Sequence, residues 1–345
     1  MLLISISAAV LALDTPGCAA AVAAAPAWPR CAQAGLGVAL SSEQAEADAL
    51  MAYATAAEPR FLAHFPTTLR PYAVLYAQAD APVAELRAAG FATVLPWASP
   101  QTIARAMREA LIQNARSEHG AALSAEAEAA LEARVAGAVE ALTERQGGVI
   151  SHELAHLWYI DAYWRGSRLQ WDGYGSPAPD WVDEAAAILS EPAPMAAELR
   201  ERFFASWAAA SPEDRVAAGG IAHLPGLLSA RRSGHRAAPD ASAAGGNAEQ
   251  AGVTVRLAPG NPVSQPSQIR LLADYLMEAT GDPYVFARIT EGLVGGATFE
   301  QWLADQSAYP QLPRNVDELQ RRWMDWIEGQ PRLSSSPARD LSRGA

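Results

Sequence analysis

The sequence predicts an α+β fold, mostly helical, with a small sheet ahead of a helix bearing His152-Glu153-Leu154-Ala155-His156. Three observations carry this prediction. Alanine-rich segments with helix start and stop signals recur along most of the chain. Aromatic and β-branched residues gather at strand length in only two places, 70–78 (RPYAVLYAQ) and 91–97 (FATVLPW), both in the first third. No internal repeat is evident, and 345 residues, half of them hydrophobic, can bury a large core.

Taken in order, residues 1–27 read as an export signal. Leu2 to Leu13 is an apolar run, followed by Asp14, Pro16 and Gly17 and by Ala-x-Ala sites around Ala23 to Ala27, although no basic residue precedes the run. The run is too short to span a bilayer. Thr15-Pro16-Gly17-Cys18 resembles a lipoprotein cleavage site with Thr15 in the aliphatic position, so a lipid anchor at Cys18 is the alternative. Removal of 1–27 leaves Cys31 as the sole cysteine, and no disulfide is expected in the mature chain. The exported protein is then periplasmic or secreted.

Residues 28–145 form the N-terminal α/β part. Ser41-Ser42-Glu43-Gln44 offers a capping box for a helix to about Ala57. The two strands flank a short helix over 81–89, stopped by Gly90. Ser99 and Pro100 supply an N-cap and first-turn proline for a helix to about Ser117, and an acidic helix follows over 124–145. Gln146-Gly147-Gly148 is expected to break it. Residues 146–329 form the second part of the same domain. In it, 208–262 has few large apolar residues and reads as a flexible loop. A helix through QIRLLADYLMEAT ends at Gly281, Thr298/Gln301 and Asn315/Glu318 start two more, and 330–345 reads as a disordered tail.

Charge narrows the partners. A net charge of -12 argues against nucleic acid, whose phosphates need a basic patch. All basic residues other than histidine are arginine. There is no Gly-rich phosphate loop and no Gly-x-Ser-x-Gly turn.

The chemistry gathers at GGVISHELAHLWYIDAYW, residues 147–164. His152 and His156 are one helical turn apart and share a face, so both imidazoles can reach one ion. Glu153 sits about 100° round the helix, a placement for a base rather than a ligand. Zinc suits two neutral imidazoles and a carboxylate with a fourth position open. Burying three such polar residues unpaired in an apolar run would cost several kcal/mol, which argues against two histidines that merely pack. A third ligand must follow. SPAPDWVDEAAAILSEP supplies Glu184, with 27 residues between it and His156, on a helix capped by Asp180 and ended by Pro192. Asp183 and Glu191 are the alternatives. His64, His119, His223 and His235 read as isolated polar positions, and the tryptophans at 158, 164, 171 and 181 as packing.

These motifs resemble the gluzincins, zinc peptidases of the peptidase MA clan, whose second motif typically reads Pro-x-Trp-Leu-x-Glu-Gly-x-Ala; here it is Pro179-x-Trp181-Val182-x-Glu184-Ala185-x-Ala187. His156-Leu157-Trp158-Tyr159 and the segments after Tyr275 are similar to aminopeptidase N-type catalytic domains, so the likeness covers about 147–329. The resemblance implies a zincin-like metallopeptidase fold, one zinc held by His152, His156 and Glu184, and Glu153 as general base and acid hydrolysing a peptide or protein substrate. It implies no aminopeptidase activity. Ala185 replaces the glycine, the Gly-x-Met-Glu-Asn motif is absent, and no tyrosine stands near Pro266, where those relatives carry their transition-state donor. Gln265, Ser267, Gln268, His223 and His235 remain as donors. A rival reading is a zincin-like binding or structural module that keeps its metal without catalysis. The segment 91–97 is the expected sheet edge for an extended peptide.

Overall fold

A tight reversal at Gly35, in the left-handed region at φ 53, starts the sheet. It joins β1 (Arg30–Ala34) to β2 (Gly37–Ser41) as an antiparallel hairpin with Ala34 opposite Gly37. In this computed structural model the described residues are 15–77, 81–119, 124–165, 178–217, 220–229 and 265–330. β2 runs parallel to β3 (Tyr72–Tyr76), and β3 parallel to β4 (Thr93–Trp97), giving the order β1-β2-β3-β4. The two strands expected from sequence are β3 and β4, and β4 is an edge as anticipated. β1 and β2 carry no aromatic or β-branched cluster; β2 is a strand through its pairing with β3, and β1 through its pairing with β2.

Alternation along the strands divides two cores. Val38, Leu40, Ala73, Leu75 and Val94 face a small core shared with α1 (Cys18–Ala24) and α3 (Val83–Ala88). Ala39, Tyr72, Val74 and Leu95 face the large core with α2 (Gln44–Leu62). Ala21 and Ala25 are fully buried, and Cys18 is bonded to Cys31, tying α1 to β1. The absence of a disulfide expected above is therefore corrected. Cleavage after residue 27 would remove α1 and strip the Val38/Leu40 face. The Cys18 sulfur, engaged with Cys31, is not available to carry a lipid. Residues 1–14 lie outside the described residues.

α4 (Pro100–His119) opens as expected, the Ser99 hydroxyl accepting from the Thr102 amide at 3.2 Å. The capping box at Ser41 does not form: α2 starts after Glu43 without a side-chain cap, and Ser41 bonds Glu46 instead. The largest departure is α5, one continuous helix over Ala125–Tyr163. Gly147 and Gly148 keep helical backbone and serve close packing. A Cβ on Gly147 would stand 2.6 Å from the Tyr53 ring of α2, and one on Gly148 would collide with Met195. The boundary drawn at 145/146 falls inside this helix.

α6 (Asp180–Leu189) follows, with Pro179 rather than Asp180 at the N-cap, then α7 (Ala193–Ala209) after Pro192. Within the expected loop, α8 (Pro212–Val216) and α9 (Leu224–Ser229) form, burying Ile221, Leu224 and Leu227; 230–264 lie outside the described residues. α10 (Gln265–Thr280) ends at Gly281 with φ 66, the C′ role expected of it. α11 (Val285–Val294), α12 (Phe299–Asp305) with its Thr298/Gln301 capping box, and α13 (Val316–Gly329), capped by Asn315, complete the helical part. The tail beyond 330 is outside the described residues. Among those described, no helix is long and apolar enough to cross a membrane.

Candidate metal centre

The second half of α5 is held on several sides. Trp158 packs edge-on to Tyr72 of the sheet at 5.2 Å and against Phe61 of α2 at 5.7 Å. Ile150, Leu154 and Ala155 are fully buried. These contacts fix the azimuth of the helix and leave His152 and His156 on the face that meets α6. α6 in turn is buried from Trp181 to Leu189, with Trp181 set edge-on against Phe286 and Phe299. Glu184 therefore projects from a helix with little freedom to turn. Trp158 and Trp181 are packing residues, as expected; Trp171 lies outside the described residues.

His152, His156 and Glu184 come together so that one ligand atom from each lies within 4.8 Å of the others. The two Nε2 atoms are 3.2 Å apart. His156 Nε2 is 3.7 Å from Glu184 Oε2, and His152 Nε2 is 3.9 Å from Glu184 Oε1. Ligands about 2.0–2.1 Å from a tetrahedral ion stand about 3.3–3.4 Å from one another; the two nitrogens already have that spacing, and the distances to Glu184, which end on its two different oxygens, are longer. The group is buried and could hold a metal ion.

The other ring nitrogens are each held by a carboxylate. His156 Nδ1 lies 2.8 Å from Asp183 Oδ1, and His152 Nδ1 lies 2.9 Å from Glu191 Oε1. With Nδ1–H donating to a carboxylate, each Nε2 keeps its lone pair toward the other and toward Glu184, the tautomer a metal ligand requires. Asp183 and Glu191, considered above as alternative ligands, instead face the Nδ1 side of the two rings, away from the Nε2 pair. Asp183 adjoins Glu184 on α6 and Glu191 lies just beyond its C-cap, so spacing alone does not tell the three roles apart.

Electrostatics favour a positive charge here. Burial disfavours protonation of both imidazoles, but the surrounding acids outweigh it. Asp183, then Glu184 and Glu153, push His156 up to about 9, and Glu191 and Glu184 raise His152. Protons and metal ions compete for the same nitrogens, so the acids that favour the one favour the other. Glu153 is partly exposed, next to His152 on α5, and near enough for its charge to act on both rings.

The alternative oxyanion donors are placed as follows. Ser267 is buried in the first turn of α10 and Gln268 donates to the Gly220 carbonyl at 3.3 Å. His223 accepts from the Gly226 amide at 3.0 Å, and His235 is outside the described residues. His64 is isolated from the centre, with Nδ1 3.1 Å from the Pro283 carbonyl oxygen.

No family model, no curated protein and no solved structure matches this chain.

Proposed function

We propose that this chain is a zinc-dependent peptidase of gluzincin type, with His152, His156 and Glu184 as ligands and Glu153 as general base and acid. The observation that carries the reading is the double orientation of the histidines: both Nε2 atoms meet the Glu184 carboxylate while both Nδ1 atoms are held by separate acids. An imidazole pair that merely packed would not need two buried carboxylates and a third beside it, since each buried charge carries a desolvation cost. Two imidazole nitrogens and one carboxylate are a zinc donor set with one position open. When bound, zinc supplies Lewis acidity and lowers the pKa of a coordinated water to about 7. Glu153 then takes the proton from the attacking water on its carboxylate and delivers it to the leaving nitrogen. β4, at the sheet edge, is the strand on which an extended peptide would align.

The Cys18–Cys31 bond supports export to an oxidising compartment, with signal cleavage ahead of Cys18 so that α1 is retained. Elemental analysis of purified protein tests the metal. Less than a tenth of a zinc per chain, unchanged after zinc loading, sinks the proposal, and iron or manganese in its place sinks its zinc part. The rival reading, a metal-holding module without turnover, is favoured by the lack of tyrosine at the start of α10. Glu153→Gln separates the two, because only an enzyme has hydrolysis to lose.

A further inference from the structure

One side chain from α2 reaches between the two helices that carry the candidate ligands. Arg60 Nε donates to the Ser190 carbonyl at 2.7 Å, and its Nη2 donates to Ser151 Oγ at 2.9 Å. Ser151 directly precedes His152. Ser190, the C-cap of α6, directly precedes Glu191. Arg60 therefore holds the residue before each partner of the His152–Glu191 bond.

Glu191 needs such a tie. It lies past the last turn of α6, where helical hydrogen bonding no longer fixes the backbone; its own amide reaches only the Ile188 carbonyl, at 3.3 Å. Its Oε1 meets His152 Nδ1, whereas its buried Oε2 has no hydrogen-bond partner. The side chain is thus located by one bond at its tip and by the backbone at its root. The root is what Arg60 fixes. On the other side, Ser151 Oγ receives Nη2–H and passes its own proton to the Gly147 carbonyl at 2.7 Å, completing a relay from α2 into the turn before His152.

A role as general glue explains this less well. Arg60 is half-buried and makes no ion pair among the described residues; both acceptors are neutral. A positive guanidinium against the C-terminal carbonyls of α6 gains from the helix dipole, but a lysine would gain the same. The two acceptors lie on different helices, and one planar fork spans them where a single ammonium cannot do so with the same geometry.

We infer that Arg60 is a positioning residue of the metal centre, setting the His152–Glu191 pair by bridging Ser151 and Ser190. The inference rests on the metal-centre reading above. Its test is zinc affinity of the full chain, measured by competition with a chromophoric chelator at a temperature where circular dichroism shows every variant folded. Arg60→Met and Arg60→Lys are expected to weaken zinc binding 10–100-fold, the range for loss of an orienting partner, and Ser151→Ala several-fold. Leu86→Ala, in the small core on the opposite face of the sheet, serves as a destabilised control that lowers Tm with zinc affinity unchanged. Should Arg60→Met fail to fold, Arg60→Lys and Ser151→Ala decide alone. Zinc affinity within twofold of wild type in Arg60→Lys and Ser151→Ala, even with Tm lowered, overturns the inference and leaves the metal centre standing. A wild-type chain that binds no zinc overturns both.

Discussion

The two halves of α5 share one backbone and almost nothing else. From 126 to 145 the helix is largely solvent-facing: Val135 is buried, Leu142 is 38% exposed, and Arg108 of α4 pairs with Glu132 at the surface. From 146 to 160 it is enclosed by the sheet, α2 and α6, and polar residues become few. In the first half a glutamate needs no explanation, because water solvates it at little cost. In the second half a buried polar group has to be met by the protein, and His152, His156, Ser151 and Gln146 are, while the indole N–H of Trp158 is not. The same residue types thus mean different things along one helix. The site is readable because its half is largely enclosed.

The sharpest way to break that contrast is chemical. Glu153→Gln keeps shape and burial but removes the base. Turnover on a peptide substrate is expected to fall by about 10²–10⁴-fold with zinc content unchanged, whereas Glu144→Gln, in the exposed half, leaves both as they are. Equal losses in the two variants would contradict the proposed role. Next come the orienting acids. Asp183→Ala and Glu191→Ala should each weaken zinc binding about 10–100-fold, with Asp183→Ala the larger effect. His156 beside Asp183 is 2% exposed, so no water can replace the lost acceptor; His152 beside Glu191 is 14% exposed and water can partly do so. The reverse order, measured by chelator competition, would refute this solvent argument.

How much of this was legible in the sequence follows the same division. His152, Glu153, His156 and Glu184 were visible because polar residues at ligand spacing stand out in apolar runs, and the structure brings the two histidines and Glu184 together. The helices with side-chain caps, at Ser99, Thr298 and Asn315, were legible from local chemistry. What escaped depends on partners far away in the chain. β2 is a strand because it pairs with β3, and β1 because it pairs with β2 and is tied to α1 by the disulfide; Gly147 and Gly148 look like a break until Tyr53 and Met195 are seen to fill their space. The division of labour among Asp183, Glu184 and Glu191 turns on which carboxylate faces which ring nitrogen, and spacing alone leaves that open.

Glycine offers a test of opposite signs within the one helix. Gly137, in the exposed half, has nothing within 4 Å of an added Cβ, so Gly137→Ala should stabilise by up to about 1 kcal/mol through helix propensity. Gly147→Ala would place its Cβ 2.6 Å from the Tyr53 ring and should destabilise by about 1–3 kcal/mol, as overpacking does. Denaturant midpoints at constant m-value measure both. Stabilisation by Gly147→Ala as well would show that the glycine pair marks flexibility rather than close approach.

The smallest expected effect contrasts the centre with a histidine outside it. Acids raise His156 and His152, whereas at His64 burial is the largest influence and holds the imidazole below its ordinary value of 6.5, with Arg270 acting the same way against Pro283 and Asp274. As pH falls through 6.5, an unfolded chain protonates this ring before the folded one does, so folding loses stability on the acid side. The contribution is intact above 6.5 and declines below it, until the folded ring also titrates. His64→Asn keeps a donor for the Pro283 carbonyl and removes the titration. Its stability relative to wild type should therefore improve as pH drops from 7 to 5, followed by urea midpoints at half-unit steps. A difference between the two proteins that stays constant over that range would mean that His64 carries no proton linkage, and that its burial does not hold the imidazole below its ordinary value.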